Sequence, residues 1–128
     1  RQWYRPGLLC IGDAAHAMSP VGGVGINLAI QDAVATANLL WEPLRAGRPT
    51  LAQLRRVQAR RQWPTRVTQR LQVLVQRRVI TRALQGGQAR LVPPWAIKLL
   101  ARYPLLQRLP ARLVGVGIRP EHIRSPAV

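Results

Sequence analysis

Residues 8–27 read Leu-Leu-Cys-Ile-Gly-Asp-Ala-Ala-His-Ala-Met-Ser-Pro-Val-Gly-Gly-Val-Gly-Ile-Asn. This stretch restricts the fold more than any other. The apolar run from Leu8 to Ile11 shows no alternation, which suits a strand buried on both faces of a parallel sheet. Gly12 breaks the run and lets the backbone turn closely. Asp13 then falls just past the carboxyl end of the strand, the edge at which open α/β sheets bind ligands. Pro20 precedes the glycines Gly22, Gly23 and Gly25, which permit positive φ and close approach of a ligand. An amphipathic helix opens directly after them. The first amides of a helix lack intrahelical partners, and its dipole favours negative charge. A carboxylate and a helix amino terminus thus lie close in sequence, suited to one oxygen-rich or anionic ligand.

The helix is expected over about residues 24–42. Ile26, Ala29, Ile30, Ala33, Ala37 and Leu40 recur at three- and four-residue spacing and form its expected inner face, with Gln31, Asp32 and Asn38 on the other side. Asp32 reads as a ligand group or, preferably, as a structural one. Pro43 and the turn Ala46-Gly47-Arg48-Pro49 end the helix. Thr50 suits an N-cap for the next helix, with Leu51, Leu54 and Val57 facing inward. Trp63-Pro64 is expected to interrupt or kink it. The period resumes with Val67, Leu71, Leu74, Val75 and Val79. Arg55, Arg56, Arg60, Arg61, Arg66, Arg70, Arg77, Arg78 and Arg82 lie between and are read as a solvated face. Gly86-Gly87 closes the element. Val92-Pro93-Pro94-Trp95 leads into a short helix at about 95–102. Pro104 and Pro110 divide the remaining chain into short turns, where Leu105, Leu106, Leu109, Leu113 and Val114 supply apolar surface. Residues 119–128 are expected to be a mobile tail.

The chain has 128 residues, enough for one ordinary domain, yet it carries only one convincing strand. A buried strand needs neighbours on both sides. The chain also starts at Arg1, and Met18 is its only methionine. The expectation is a carboxyl-terminal piece of a longer protein, inactive by itself. The formal charge is +16, with 20 basic residues, all arginine except Lys98, against 4 acidic ones. Such a balance invites a nucleic-acid or anionic-membrane reading. The near-absence of lysine points instead to a general bias toward arginine, and no aromatic-interleaved patch supports nucleic acid. The sole cysteine, Cys10, excludes an intrachain disulfide or a cysteine metal cluster and reads as a small core residue. No apolar run is long enough to span a membrane. A cytoplasmic location is expected. His16 lies three residues after Asp13 with no partners for a triad or a metal site, so it reads as a turn residue. His122 reads as exposed, and Ser19 as a turn residue.

The glycine pattern alone is weak. It is Gly-Gly-x-Gly and not the Gly-x-Gly-x-x-Gly dinucleotide fingerprint. Gly115-x-Gly117 is weaker still. The whole string Gly-Asp-Ala-Ala-His-x-x-x-Pro-x-x-Gly-x-Gly-x-Asn-x-x-x-x-Asp-Ala, Gly12 to Ala33, is far more specific. It resembles the second flavin-contacting motif of the FAD-dependent aromatic hydroxylases, the single-component flavoprotein monooxygenases. The resemblance implies an α/β fold: the carboxyl-terminal part of a Rossmann-like FAD-binding domain, one buried strand followed by mostly helices. Residues 1–42 would be the last strand, flavin motif and helix of that domain, and 43–118 a helical region. It implies FAD held by Gly12, Asp13, Pro20, Gly23, Gly25, Ile26 and Asn27. Asp13 would bond the ribityl chain, Pro20 would sit beside the flavin ring, and Gly25, Ile26 and Asn27 would meet its pyrimidine end. It implies no catalytic or metal-binding residue in this chain. NAD(P)H would reduce the flavin at a site outside the chain, and oxygen would then hydroxylate an aromatic or similar small substrate. The partners would be that substrate and the missing amino-terminal part of the protein. Two other readings stand beside it: a halogenase or reductase with the same cofactor half, and a basic helical module for nucleic acid or anionic membranes.

Overall fold

Pro6 and Gly7 shape the start of the chain. Proline fixes φ at the first central position of a turn, and Gly7 takes φ +76 at the second, a conformation costly for residues with a Cβ. The turn folds β1 (Tyr4–Arg5) back on β2 (Leu8–Leu9) as an antiparallel pair, with Tyr4 opposite Leu9 and Arg5 opposite Leu8. This computed structural model describes residues 1–20, 23–84, 102–103, 108, 111–113 and 115–126. The expectations for Gly86-Gly87, Val92–Trp95 and the helix at 95–102 apart from Arg102, and for Leu105, Leu106, Leu109 and Val114, lie outside them.

The two helices are α1 (Val24–Arg45) and α2 (Leu51–Leu84). The chain is therefore an α/β fragment in which helix predominates. Of the buried parallel strand expected over Leu8–Ile11, the described residues show Leu8–Leu9 paired along one edge in this short antiparallel hairpin. Leu8 is exposed, and Cys10 follows β2, its N–H donating to Trp3 O at 2.8 Å in continuation of the same register. A parallel neighbour needs a crossover connection, whereas β1 is one tight turn away.

Thr50 caps α2 as expected, and Gln53 completes a capping box. The Gln53 N–H donates to Thr50 Oγ1 at 3.4 Å and the Thr50 N–H to Gln53 Oε1 at 2.7 Å. Leu54 and Val57 face inward, but Leu51 is exposed. Pro64 does not interrupt α2, and α1 continues past Pro43 to Arg45. An interior proline costs a helix about 3 kcal/mol. Pro64 is itself buried, on one stripe with Leu54, Val57, Arg61, Thr65 and Thr68, so tertiary packing offsets that cost.

Leu40, Leu54 and Val57 form the core, with Tyr4, Leu9 and Leu39 packed against it. Each such side chain removed from water contributes about 1.5–3 kcal/mol. The inner face of α1 differs from expectation. Leu28, Asp32, Ala35 and Leu40 are buried, whereas Ile26, Ile30, Ala33 and Ala37 are exposed. Helix α1 has apolar residues on two faces, and α2 covers the one that includes Asp32.

Residues 115–125 run against both helices, where the sequence suggested a mobile tail from 119. Gln31 Nε2 donates to Val116 O at 2.6 Å. Asn38 donates from Nδ2 to His122 O at 2.7 Å and accepts the N–H groups of Arg124 and Ser125 on Oδ1 at 2.7 and 3.1 Å. One amide side chain thus serves the segment as a strand edge would.

Asn38→Ala should speed hydrogen exchange at the Arg124 and Ser125 amides while leaving the α1 amides protected, as amide-resolved exchange would show. Gly12 has φ +57, and a Cβ there would come within 3.0 Å of the Ala29 Cβ. Gly7 shares the positive φ but has open space around it. Gly12→Ala should therefore destabilise the protein more than Gly7→Ala, which carries only the left-handed penalty of about 1–2 kcal/mol. Thermal unfolding of the two variants gives the comparison.

Candidate functional site

The backbone leaves β2 and winds into a single 3-10 turn, Gly12–Ala14. Gly12 O accepts the N–H groups of Ala15 and His16 at 2.9 and 3.0 Å, which closes the turn. Asp13 is exposed on it. The chain then reaches Gly23, which caps α1 at φ +64 and offers no side-chain acceptor. The turn contributes Asp13, Met18, Ser19 and Pro20 to an open cleft of 540 Å³, and the start of α1 contributes Gly23, Gly25, Ile26, Ala29, Ile30 and Ala33. Asp13, Pro20, Gly23, Gly25 and Ile26 are thus brought together. Gly12 lies buried under Ala29, and Asn27 is half-buried on α1 and not among the lining residues.

The cleft combines a carboxylate, the uncapped positive end of a helix, and an apolar wall. Ile26 and Ile30 are 72% and 56% exposed, enough to cover a flat hydrophobic ligand. A larger cleft of 910 Å³ lies between the hairpin, the end of α1 and the start of α2. It is lined mainly by apolar residues such as Leu8, Leu44 and Leu51 and holds no acidic residue. Chemistry therefore favours the smaller cleft. Among the described residues no group of three or more His, Cys, Asp or Glu could hold a metal, and no helix is long and apolar enough to cross a membrane.

Behind the cleft lies an ionic network. Asp32 is fully buried. Its Oδ2 accepts the Gly12 N–H at 3.1 Å and His16 Nε2 at 2.5 Å, and its Oδ1 accepts Arg61 Nε at 2.9 Å. Arg61, also fully buried, donates from Nη1 to Arg119 O at 3.0 Å and from Nη2 to Gln31 Oε1 at 3.1 Å. Glu121 lies 3.6 Å from Arg61 Nη1 and takes two bonds from Arg60, at 2.7 and 3.2 Å, which raise the Arg60 pKa. The His16 ring packs against Trp3 with centroids 5.1 Å apart.

Burial is the largest influence on Asp32 and pushes its pKa up. The bonds from His16, Arg61 and the Gly12 N–H, with the His16 charge, outweigh it, and the carboxyl titrates below its ordinary value of 3.8. Asp32, expected on the outer side of α1, is instead buried, and His16 is paired with it across the turn. Arg61 does not belong to the solvated arginine face. The signal was present: Arg61 follows Leu54 by seven residues and Val57 by four, on the apolar stripe.

A lowered folded-state pKa stabilises above the unfolded value of about 3.9, and that contribution is lost as pH falls through the folded value. Asp32→Asn should therefore cost about 3–5 kcal/mol at pH 7, where it leaves Arg61 buried without its carboxylate. The difference from wild type should shrink in strongly acidic buffer. Denaturant unfolding at both pH values would reveal this convergence.

The comparisons with known proteins agree with the geometry. The family profile described as "FAD binding domain" matches residues 1–71, which include the cleft and the network up to Arg61. The 6-methylpretetramide 4-monooxygenase of Streptomyces rimosus is 40% identical over 125 residues, 98% of this chain and 29% of that protein. The FAD-dependent monooxygenase idtM of Claviceps paspali is 37% identical over 93% of this chain and 23% of its own length. The FAD-dependent monooxygenase atmM of Aspergillus flavus is 33% identical over 91% of this chain and 24% of its own length. The chain spans about a quarter of the length of these relatives. No solved structure is a significant match. With more than half its length inside the matched domain, the chain belongs to the FAD-binding domain family of the FAD-dependent aromatic hydroxylases.

Proposed function

We propose that this chain is the FAD-binding segment of a flavoprotein monooxygenase that uses NAD(P)H and oxygen to hydroxylate an aromatic or similar small organic substrate. The observation that carries the reading is the cleft shared by Asp13, Pro20, Gly23, Gly25 and Ile26. Its chemistry fits a flavin: an exposed carboxylate for hydroxyl groups, helix amides for a developing negative charge, and aliphatic side chains for a flat ring. The names of the relatives, monooxygenases throughout those cited, support this reading over a halogenase or reductase.

FAD, when bound, supplies the redox and oxygen chemistry; the protein supplies position and electrostatics. Asp13 would accept hydrogen bonds from the ribityl hydroxyls, and a charged acceptor makes these the stronger kind. The backbone at Gly25, Ile26 and Asn27 would stabilise negative charge at the pyrimidine end of the ring, because the α1 dipole points its positive end there. Pro20 would present a rigid edge without an N–H group beside the ring. Ile26 and Ile30 would exclude water. On this reading the strands missing from the hairpin, a Rossmann-like sheet, come from a longer protein, as the lengths of the relatives suggest. That remainder would also carry the nicotinamide and substrate sites. The lone cysteine suits a reducing cytoplasm.

The test uses the protein encoded by the complete gene. Asp13→Ala should weaken FAD binding about 10- to 100-fold, as expected for loss of a bond to a charged group worth about 1.5–3 kcal/mol. Thermal stability of the flavin-free protein should hold, because Asp13 is exposed. Unchanged flavin affinity, measured by quenching of FAD fluorescence, would remove Asp13 from the site.

A further inference from the structure

Asp13 sits on a turn whose two ends are clipped by one atom. Asp32 Oδ2 accepts the Gly12 N–H at the start and His16 Nε2 at the finish. The aim of Asp13 therefore depends on the orientation of the Asp32 carboxylate. That orientation is set from α2, where Arg61 Nε takes the other oxygen, Oδ1. The guanidinium is itself locked, since Arg119 O and Gln31 Oε1 engage Nη1 and Nη2. Both charged groups are shielded, with side chains 1% and 0% exposed, so water cannot substitute for a lost bond.

We propose that Arg61 is a positioning residue for cofactor binding: through Asp32 it holds residues 12–16 in the conformation that aims Asp13 into the cleft before the flavin arrives. The proposal rests on the flavin-binding role of Asp13. Its physical basis is preorganisation. A turn already fixed spends no binding energy on ordering, whereas a loose one must be ordered by the ligand. Arginine is required because its planar fork serves Asp32, Arg119 O and Gln31 together. Lysine keeps the charge, so the Asp32 carboxylate still has a counter-ion, but an ammonium lacks that fixed geometry.

The experiment is a double-mutant cycle between Arg61→Lys and Asp13→Asn in the protein encoded by the complete gene, stripped of flavin and titrated with FAD. Arg61→Lys alone should raise the FAD dissociation constant about tenfold, and the effect should fall below about twofold in the Asp13→Asn background. The loss of thermal stability caused by Arg61→Lys should be the same in both backgrounds, which separates aim from general structure. A tenfold loss that persists in the Asp13→Asn background would overturn the proposal and leave Arg61 a stabiliser only. So would wild-type affinity in Arg61→Lys. If Arg61→Lys does not fold, Gln31→Ala, which removes one acceptor of the guanidinium, should give a smaller loss with the same dependence on Asp13; an additive loss there overturns the proposal equally. Should Asp13→Asn alone bind FAD like wild type, the flavin role of Asp13 fails, and the positioning role falls with it. Additive losses from Asp13→Asn and Arg61→Lys would overturn the positioning role alone.

Discussion

A carboxylate taken out of water must be met by donors, and Asp32 draws them from several parts of the chain. A buried charge without partners costs several kcal/mol, so any arrangement that buries Asp32 must also bring up Gly12, His16 and Arg61. That requirement sets the relation of the 3-10 turn to α1 and of α1 to α2. The small apolar core of Leu40, Leu54 and Val57 supplies attraction without direction. The ionic hub supplies the direction.

The same hub links the cleft to the far end of the chain. Arg61 reaches Arg119 O, and its neighbour Arg60 holds Glu121, so residues 115–125 are drawn onto the helices that shape the candidate cleft. Asp32 and Glu121, two of the four acidic residues, are used for these internal pairs. The chain is strongly basic overall, yet Arg61 is fully buried and the half-buried Arg60 is committed to Glu121. The charge total alone therefore says little about an anionic partner. The exposed apolar face of α1, with Ile26 and Ile30, is available to line the candidate cleft because Asp32 turns the opposite face toward α2.

Much of the candidate cleft was legible in the order of residues. The carboxylate Asp13, the capping glycine Gly23 and the start of α1 follow from local rules of turn and helix formation, which act over a few residues. The capping box at Thr50 is equally local. An interruption of α2 at Pro64, and an end of α1 at Pro43 rather than at the turn after Arg45, were expected because propensity weighs a helix as if it stood alone. Pro64 is buried on a packed stripe, and packing outweighs the local penalty. The α1 inner face was misjudged because two apolar faces compete on one helix, and periodicity cannot say which of them meets α2.

The sequence by itself determined the chemistry at residues 12–33: a carboxylate next to a glycine-led helix, in a string specific enough to mark the flavin family. Only the tertiary structure decided that Leu8 and Leu9 pair with a local hairpin strand, that Arg61 is internal, and that Asn38 binds the segment after residue 115. The reason is one of range. Turns, caps and glycine conformations are fixed by neighbours along the chain. The partners of a buried charge or an amide side chain are fixed by which distant backbone is brought alongside, and no local rule encodes that.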